Sequence, residues 1–554
     1  MDIGWTILGF VLSIFFSIFC SVIVIFIFAK KHILTNISND SSQLGNIMKN
    51  KILFYFNKWI LIGTIILLNI AGGFLVYYTQ NLKIVVGIII ILKSKEIMMS
   101  IIFVFNIIYL HFYKIKKTPT LEISDEIDKV VAFVPIYKES FDQVNKTVDS
   151  ILMSKCQSLL TVIVSDGHED DGSTNYKSLL ENTVCEKSYE YISWKNDNIS
   201  CDVTFGYRKD KPIIFITKKV NVGKKDSIIL MHDIFNYTRS NINDKTKILI
   251  DSINNDIVES FGFNKFDYMF CTDGDTIVDE NAIICLIETI KSRGSLASCG
   301  IVNVDKQSSC NKDSFWNNIQ NFQYLYGQYI RRTNEDLFNQ VLCLPGCINM
   351  IKIDKSYIEV LEKYSTIPQD KFVESTVQFV GTDRRFTSSI LYTIPNVKIN
   401  QDIRAHCYTT PPRSINDYLS QRNRWTHNTF FNSMLNICSS NINIVIRFFC
   451  VIDVLRMIFV YARLFNTLYF IYILSVNYTQ ADFVNLIPYI VLMSYPFVCF
   501  FVYSLFNSHL RKCYITLLLY YPINKIFSTV MTLITFSLML FNIGNFNWKI
   551  NLKK

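Results

Sequence analysis

The sequence offers little with which to staple, chelate or repeat. Its 15 cysteines are scattered without paired Cys-x-x-Cys spacing, which argues against structural zinc and a disulfide framework and for reduced thiols. There is no internal repeat and no low-complexity segment. Charge is sparse at 18% of residues, and the net +9 is dispersed among loops rather than gathered in a basic stripe interleaved with aromatics. With no recognisable nucleic-acid module either, the chain needs no nucleic-acid partner. No basic segment precedes the first apolar run, which follows Met1-Asp2-Ile3-Gly4, so that run is expected to be an uncleaved anchor rather than a signal peptide.

What the chain has in quantity is apolar length. Half of its 554 residues are hydrophobic and the mean hydropathy is +0.24, which implies membrane and water-soluble parts together. Residues 5–29 carry no charge over more than the roughly 20 residues that span a bilayer core, and 59–79 is a second such run. A third lies within 82–113, where 97–113 is the cleaner part. Lys30, Lys31, Lys49, Lys51 and Lys58 follow the first run, and Lys114, Lys116 and Lys117 follow the third, so both segments are expected on the cytosolic side. Apolar runs return at 444–471, 484–506 and 513–543. The first of these contains Arg447, Asp453, Arg456 and Arg463 and the last Lys525, which suits either a bundle interior or water-filled path, or a helix lying on the interface. The expected organisation is transmembrane helices over 1–113, a cytosolic domain over 114–412, an interfacial helix over 413–440 and a second membrane region over 441–554.

Within the cytosolic part, "KVVAFVPIYKES", "LLTVIVSDG", "KPIIFITKK" into "GKKDSIILMHDIF", and "FDYMFCTDGDT" into "DENAIICLIETI" alternate strand and helix. That alternation predicts an α/β domain with a mostly parallel sheet, whose ligands bind beyond the carboxyl ends of the strands. Residues 167–211 read as a polar insertion.

Several strand ends carry chemistry. In "CTDGDT", Asp273 and Asp275 are two apart and share a face, with Gly274 permitting close approach. Two convergent carboxylates suit Mg2+ or Mn2+ and a diphosphate-linked donor, although a solvated turn has the same pattern. Asp166 in "VSDG" is placed to accept from a nucleobase edge or to close an Asx turn. Lys224 and Lys225 start a helix after Gly223, where a lysine contacts phosphate or faces water. In "GTDRRFT", Asp383 stands directly against Arg384 and Arg385.

In chain order, "VPIYKES", "VSDG", "GKKDS", "CTDGDT", "NIQNFQYLYGQY", "VLCLPGCINM", "GTDRRFT" and "QRNRWTHNTFF" resemble the motifs of processive, membrane-embedded β-glycosyltransferases, and most closely those of chitin synthases. The resemblance covers about 131–431. It implies a GT-A-like nucleotide-sugar transferase domain inserted between transmembrane helices in the plasma membrane, and transfer of GlcNAc from UDP-GlcNAc to a growing chitin chain. Mg2+ or Mn2+ would be the cofactor. It also implies that Pro135, Tyr137 and Glu139 line a uridine pocket, that Asp166 and Asp273 contact the nucleotide, that Asp275 with Asp273 holds the metal, and that Lys224 or Lys225 lies near the donor. Gln320, Tyr324, Pro345, Gly346 and Cys347 would shape the acceptor end, Gln421, Arg424 and Trp425 would meet the diphosphate and product, and Asp383 would be the general base. Trp425 also suits an interfacial anchor.

The chain departs from that pattern where Thr382 replaces the usual acid before Asp383, leaving one carboxylate, and where Asn423 replaces a frequent arginine. A hyaluronan synthase-like enzyme and an inactive membrane scaffold or transporter are the rival readings. Whether the protein is a homo-oligomer is not legible.

Overall fold

The computed structural model describes residues 51–79, 95–105, 127–167, 176–305, 315–368, 371–412, 414–476 and 480–544. The expected span at 5–29 lies outside the described residues, as does most of 82–113, of which 95–105 is helical.

Strand β1 (Lys129–Ile136) is buried at every position after Lys129, and β2 (Ser158–Ser165) at every position after Ser158. Apolar runs covered on both faces are what central parallel strands require. The alternation of side chains then divides the core in two. Val130, Ala132 and Val134 enter one cluster with Ile283 and Leu286 of the helix Ala282–Arg293, whereas Val131 and Phe133 enter another with Ile229 and Leu230 of the helix Lys224–Phe235.

Four neighbouring strands, β5 (Lys211–Lys218), β2, β1 and β6 (Tyr268–Cys271), are parallel. Next to them β9 (Asn349–Lys352) runs antiparallel between β6 and β8 (Ala297–Val304), and β10 (Ile399–Thr409) is parallel to β8. Short β7 (Thr276–Val278) closes that edge. The result is a ten-stranded mixed sheet with a parallel centre, the α/β layering that the strand-helix alternation implies. Residues 167–211 are more than an insertion: they supply β3 (Asn182–Ile192) and β4 (Asn198–Arg208), which extend the other edge as an antiparallel pair. As the edge strand, β3 is exposed along most of its length, so its residues show no apolar alternation.

The helices Lys51–Thr79, Ile444–Ile458, Val460–Val476, Gln480–Phe506 and Tyr514–Phe541 occupy the expected apolar runs. Among the described residues, Ile52–Leu75 and Tyr514–Phe541 are long and apolar enough to cross a membrane. Phe56, Trp59, Leu67, Ile515, Leu519 and Ile526 on them are exposed, an apolar surface suited to lipid.

The run 444–471 is not one continuous helix, because the chain breaks between Ile458 and Val460. The break frees backbone groups, and buried Asn69 satisfies them: its Nδ2 donates to the Ile458 carbonyl at 2.7 Å and its Oδ1 accepts from Ala462 N–H at 2.9 Å. Two charges of this run, Asp453 and Arg456, are paired inside the helix bundle, and Arg447 Nε donates to the Ile437 carbonyl at 2.9 Å. Asp453 meets Lys95, and Glu96 lies 3.1 Å from Arg456, 3.5 Å from Lys525 and 3.8 Å from Arg331.

Replacing Asn69 by leucine removes both interhelical bonds and leaves the break unsatisfied. The expected loss is about 1–3 kcal/mol, read as a lowered midpoint of thermal unfolding in detergent; an unchanged midpoint would show that the break is satisfied in another way.

Candidate active site

The site forms where the loops after β1, β2 and β6 meet the start of the Lys224–Phe235 helix. Gly223, with φ of 98°, lets the chain turn sharply into that helix. Beyond β6, Asp273 and Asp275 converge as their spacing predicts. Burial, and then Asp273, push the Asp275 carboxyl up to about 6. Glu139, from the loop after β1, joins them: burial, and then Asp275, push its carboxyl up to about 8, and it accepts the Tyr137 N–H. Thr147 donates to the Gly274 carbonyl at 2.9 Å and so fixes the turn between the two aspartates.

Lys224 stands opposite. Its ammonium lies 2.5 Å from Asp273 Oδ1 and 3.3 Å from Asp383 Oδ1. Burial alone would discharge it, but the two carboxylates hold its pKa well above the ordinary lysine value. Burial likewise works to raise Asp273, yet Lys224 keeps that carboxyl below its usual range, and Cys347 Sγ donates to Asp273 Oδ2 at 3.2 Å. Asp383, at the first turn of the helix Asp383–Thr393, remains raised by burial and by Asp273 despite Lys224.

The Cys-Leu-Pro-Gly-Cys segment lies directly on this group. Pro345 is held through its carbonyl by Asn349 Nδ2 at 2.8 Å, and the Cys347 carbonyl by Thr272 Oγ1 at 2.8 Å. A Cβ on Gly346 would stand 2.7 Å from Asp383 Oδ2 and would collide with the Lys224 ammonium, so a larger residue there would displace the pair. Its amide donates to Asp383.

The two arginines beside Asp383 in sequence are not its partners. Arg385 is buried and donates from Nε to Gln378 Oε1 at 2.9 Å, and Arg384 is within electrostatic reach of Cys343 and Cys450. Thr382 precedes the helix without a side-chain capping bond. The adjacent lysines also separate: Lys225 is buried beneath the site, donating to the Gln378 carbonyl at 2.9 Å and lying 4.1 Å and 4.5 Å from the Trp194 and Tyr364 rings. Burial, and then Arg385, lower its pKa well below the lysine value. Of the two lysines, the one in the site is Lys224.

Asp166 is buried at the end of β2, and its oxygens accept the Val222 and Gly223 amides at 3.0 and 2.6 Å. In this arrangement it braces the loop leading to Lys224. Among the residues expected at the acceptor end, Gln320 Nε2 donates to Tyr324 Oη at 2.8 Å and to Gln421 Oε1 at 3.2 Å, and Tyr324 stacks with Trp425 at 6.1 Å between centroids. Arg424 is within electrostatic reach of Asp273. Sequence reasoning missed Arg422, Gln378 and Trp194. Arg422 lies within "QRNRW" and was discoverable there, whereas nothing local distinguishes Gln378 or Trp194.

Among the described residues no group of three or more His, Cys, Asp or Glu side chains is arranged to hold a metal ion. Asp275, raised by its neighbour Asp273, and Glu139, raised in part by Asp275, nevertheless fit a divalent cation held by one or two carboxylates and completed by phosphate oxygens, because a cation would take the place of the protons that burial and repulsion favour on these two acids.

Residues 210–549 match the family profile described as chitin synthase. Chitin synthase 8 of Gibberella zeae is 24% identical over 428 residues, covering 72% of this chain and 63% of that protein. Chitin synthase 8 of Verticillium dahliae is 26% identical over 345 residues, covering 55% and 56%. The matched part is thus less than two thirds of either relative's length. Among solved structures, a mannosyltransferase from Pyrobaculum calidifontis in complex with GDP-Man and Mn2+ aligns at a TM-score of 0.40 and 12% identity over 80% of this chain and 97% of that one, too loose a likeness to carry an argument.

The raised acids set a pH dependence. Because folded Glu139 holds its proton more tightly than the ordinary value of 4.5, thermal stability without divalent cations is expected to fall as pH rises from about 4.5 through about 8. Glu139→Gln flattens this slope; a slope identical to wild type would remove Glu139 as its source.

Proposed function

This chain belongs to the chitin synthase family, and we propose that it transfers GlcNAc from UDP-GlcNAc to the non-reducing end of a growing β-1,4-linked chain and passes the product across the plasma membrane. The catalytic domain faces the cytosol. The observation that carries the reading is Lys224 set between Asp273 and Asp383, which puts a diphosphate-side carboxylate and a proton acceptor within reach of one ammonium.

Asp383 takes the proton as the acceptor hydroxyl oxygen attacks the anomeric carbon; the new C–O bond forms while the bond to the diphosphate breaks and UDP leaves. One displacement inverts the anomeric centre, converting an α-linked donor into a β-linkage. Lys224 holds Asp383 in place and keeps positive charge beside the departing diphosphate, where Arg424 adds a second cation. Asp275 and Asp273 would hold Mg2+ or Mn2+, which when bound neutralises charge on the diphosphate. Pro135, Tyr137 and Glu139 shape the uridine side, with Asp166 supporting it through the Val222–Gly223 amides. Gln320, Gln421, Tyr324 and Trp425 line the way to the acceptor. With Thr382 neutral, Asp383 does the proton transfer without a neighbouring acid in sequence.

Purified protein in detergent, given UDP-GlcNAc and Mg2+ or Mn2+, is expected to release UDP and make a chitinase-sensitive polymer. Release of UDP without polymer would sink the processive reading, and a requirement for a second, acidic sugar donor would favour a hyaluronan synthase-like enzyme. Asp383→Asn is expected to lower turnover by at least about 100-fold while UDP still binds; retained turnover would remove Asp383 from the base role.

A further inference from the structure

Arg422 has no part in that scheme, yet its guanidinium joins the aromatic and amide groups beside the acceptor end. It lies 4.3 Å from the Trp425 ring centroid and 4.9 Å from that of Tyr418. Its Nη2 donates to Gln323 Oε1 at 2.6 Å and to Gln320 Oε1 at 3.3 Å. These partners are themselves held. Gln323 Oε1 also accepts from Tyr418 at 3.1 Å, its Nε2 donates to Asn524 Oδ1 at 2.9 Å, and Gln320 binds Tyr324 and Gln421. The guanidinium is therefore fixed from the Phe315–Tyr326 helix and, through Gln323, from the helix Tyr514–Phe541.

Trp425 depends on that anchor. Its ring is 39% exposed and makes a stacked contact with Tyr324 at an interplanar angle of 26°. A half-exposed indole on a helix surface has several open rotamers, and a planar cation fixed over the ring selects one of them. Tyr324 leads inward, being electrostatically coupled to Cys347 and Asp275. Cys347 in turn donates to Asp273 Oδ2 at 3.2 Å.

We propose that Arg422 is a positioning residue of the acceptor subsite: it holds the Trp425 ring in register with Tyr324 as a preformed stacking platform for a pyranose ring of the growing chain. It acts through Trp425 and leaves the nucleotide subsite to other residues. This rests on the glycosyl-transfer reading above.

The test measures UDP release from UDP-GlcNAc by the full chain in detergent, as a function of added GlcNAc or chitobiose, for wild type, Arg422→Met, Arg422→Lys, Trp425→Ala and the double variant Arg422→Met with Trp425→Ala. Arg422→Met is expected to raise the acceptor concentration for half-maximal rate about ten-fold, with the UDP dissociation constant within about two-fold of wild type. Arg422→Lys, which restores charge without the planar fork, recovers part of the loss. The double variant is expected to be no worse than Trp425→Ala alone, since both remove one platform. Additive losses, an equal loss of UDP affinity in both arginine variants, or unchanged acceptor dependence in Arg422→Met would each overturn the assignment. If Arg422→Met does not fold, the same comparison with Arg422→Lys decides. Wild-type protein that never releases UDP from UDP-GlcNAc would instead defeat the parent reading.

Discussion

One ammonium between two carboxylates is the constraint on which the rest of the site depends. Asp273 and Asp383 are partly buried and mutually repulsive, so neither stays ionised cheaply without a cation. Lys224 supplies that cation, and both acids favour its charged form against the cost of burial. Everything that places Lys224 therefore places the chemistry. Asp166 braces the turn before it, and fully buried Lys218, 2.7 Å from Asp226 and 3.8 Å from Asp166, ties that brace to Asp226 in the first turn of the Lys224–Phe235 helix. Gly346 leaves the space into which the ammonium and the Asp383 carboxylate fit.

Beneath this pair lies a second cationic layer with a different role. Lys225 and Arg385 both meet Gln378, the lysine at its carbonyl and the arginine at its side chain, and Lys225 is also enclosed by Trp194 and Tyr364. These contacts join the Lys224 helix to the helix Phe372–Val380, which immediately precedes Asp383. Burying basic head groups against neutral acceptors and aromatic faces is costly, and here the contact fixes the distance between the two elements that carry Lys224 and Asp383. The edge hairpin β3–β4 contributes by delivering Trp194, just past β3, to this layer.

The sheet domain is not a separate body perched on the apolar helices. One apolar cluster runs from Val131 and Phe133 of the sheet through Phe322 and Tyr329 to Phe449, Phe500 and Leu517 of the apolar helices. Polar bridges follow the same seam, with Glu96 reaching Arg331 on the domain side and Arg456 and Lys525 on the helix side. Shared packing of this kind holds the Tyr324–Trp425 stack at a set distance from the apolar helices.

How much of this was legible follows from the range of the interactions. The parallel core was readable because a strand buried on both faces needs an unbroken apolar run, and "VVAFVPI" and "TVIVS" are such runs. Convergence of Asp273 and Asp275 followed from a two-residue spacing in extended chain. The same local logic failed at the edge strand β3, whose exposed faces leave no pattern, and at the break after Ile458, where apolar residues continue although the helix does not. It failed also at Asp383. Sequence placed Arg384 and Arg385 beside it, but successive helical residues point about 100° apart, so Arg385 turns into the core and the cation that meets Asp383 arrives from a helix that starts at residue 224. By itself the sequence determined which chemical groups were present and which strands would be central, since these depend on residues near one another in the chain. Which of two adjacent lysines enters the site, and which cation partners Asp383, depends on how distant helices pack, and only the tertiary structure decided it.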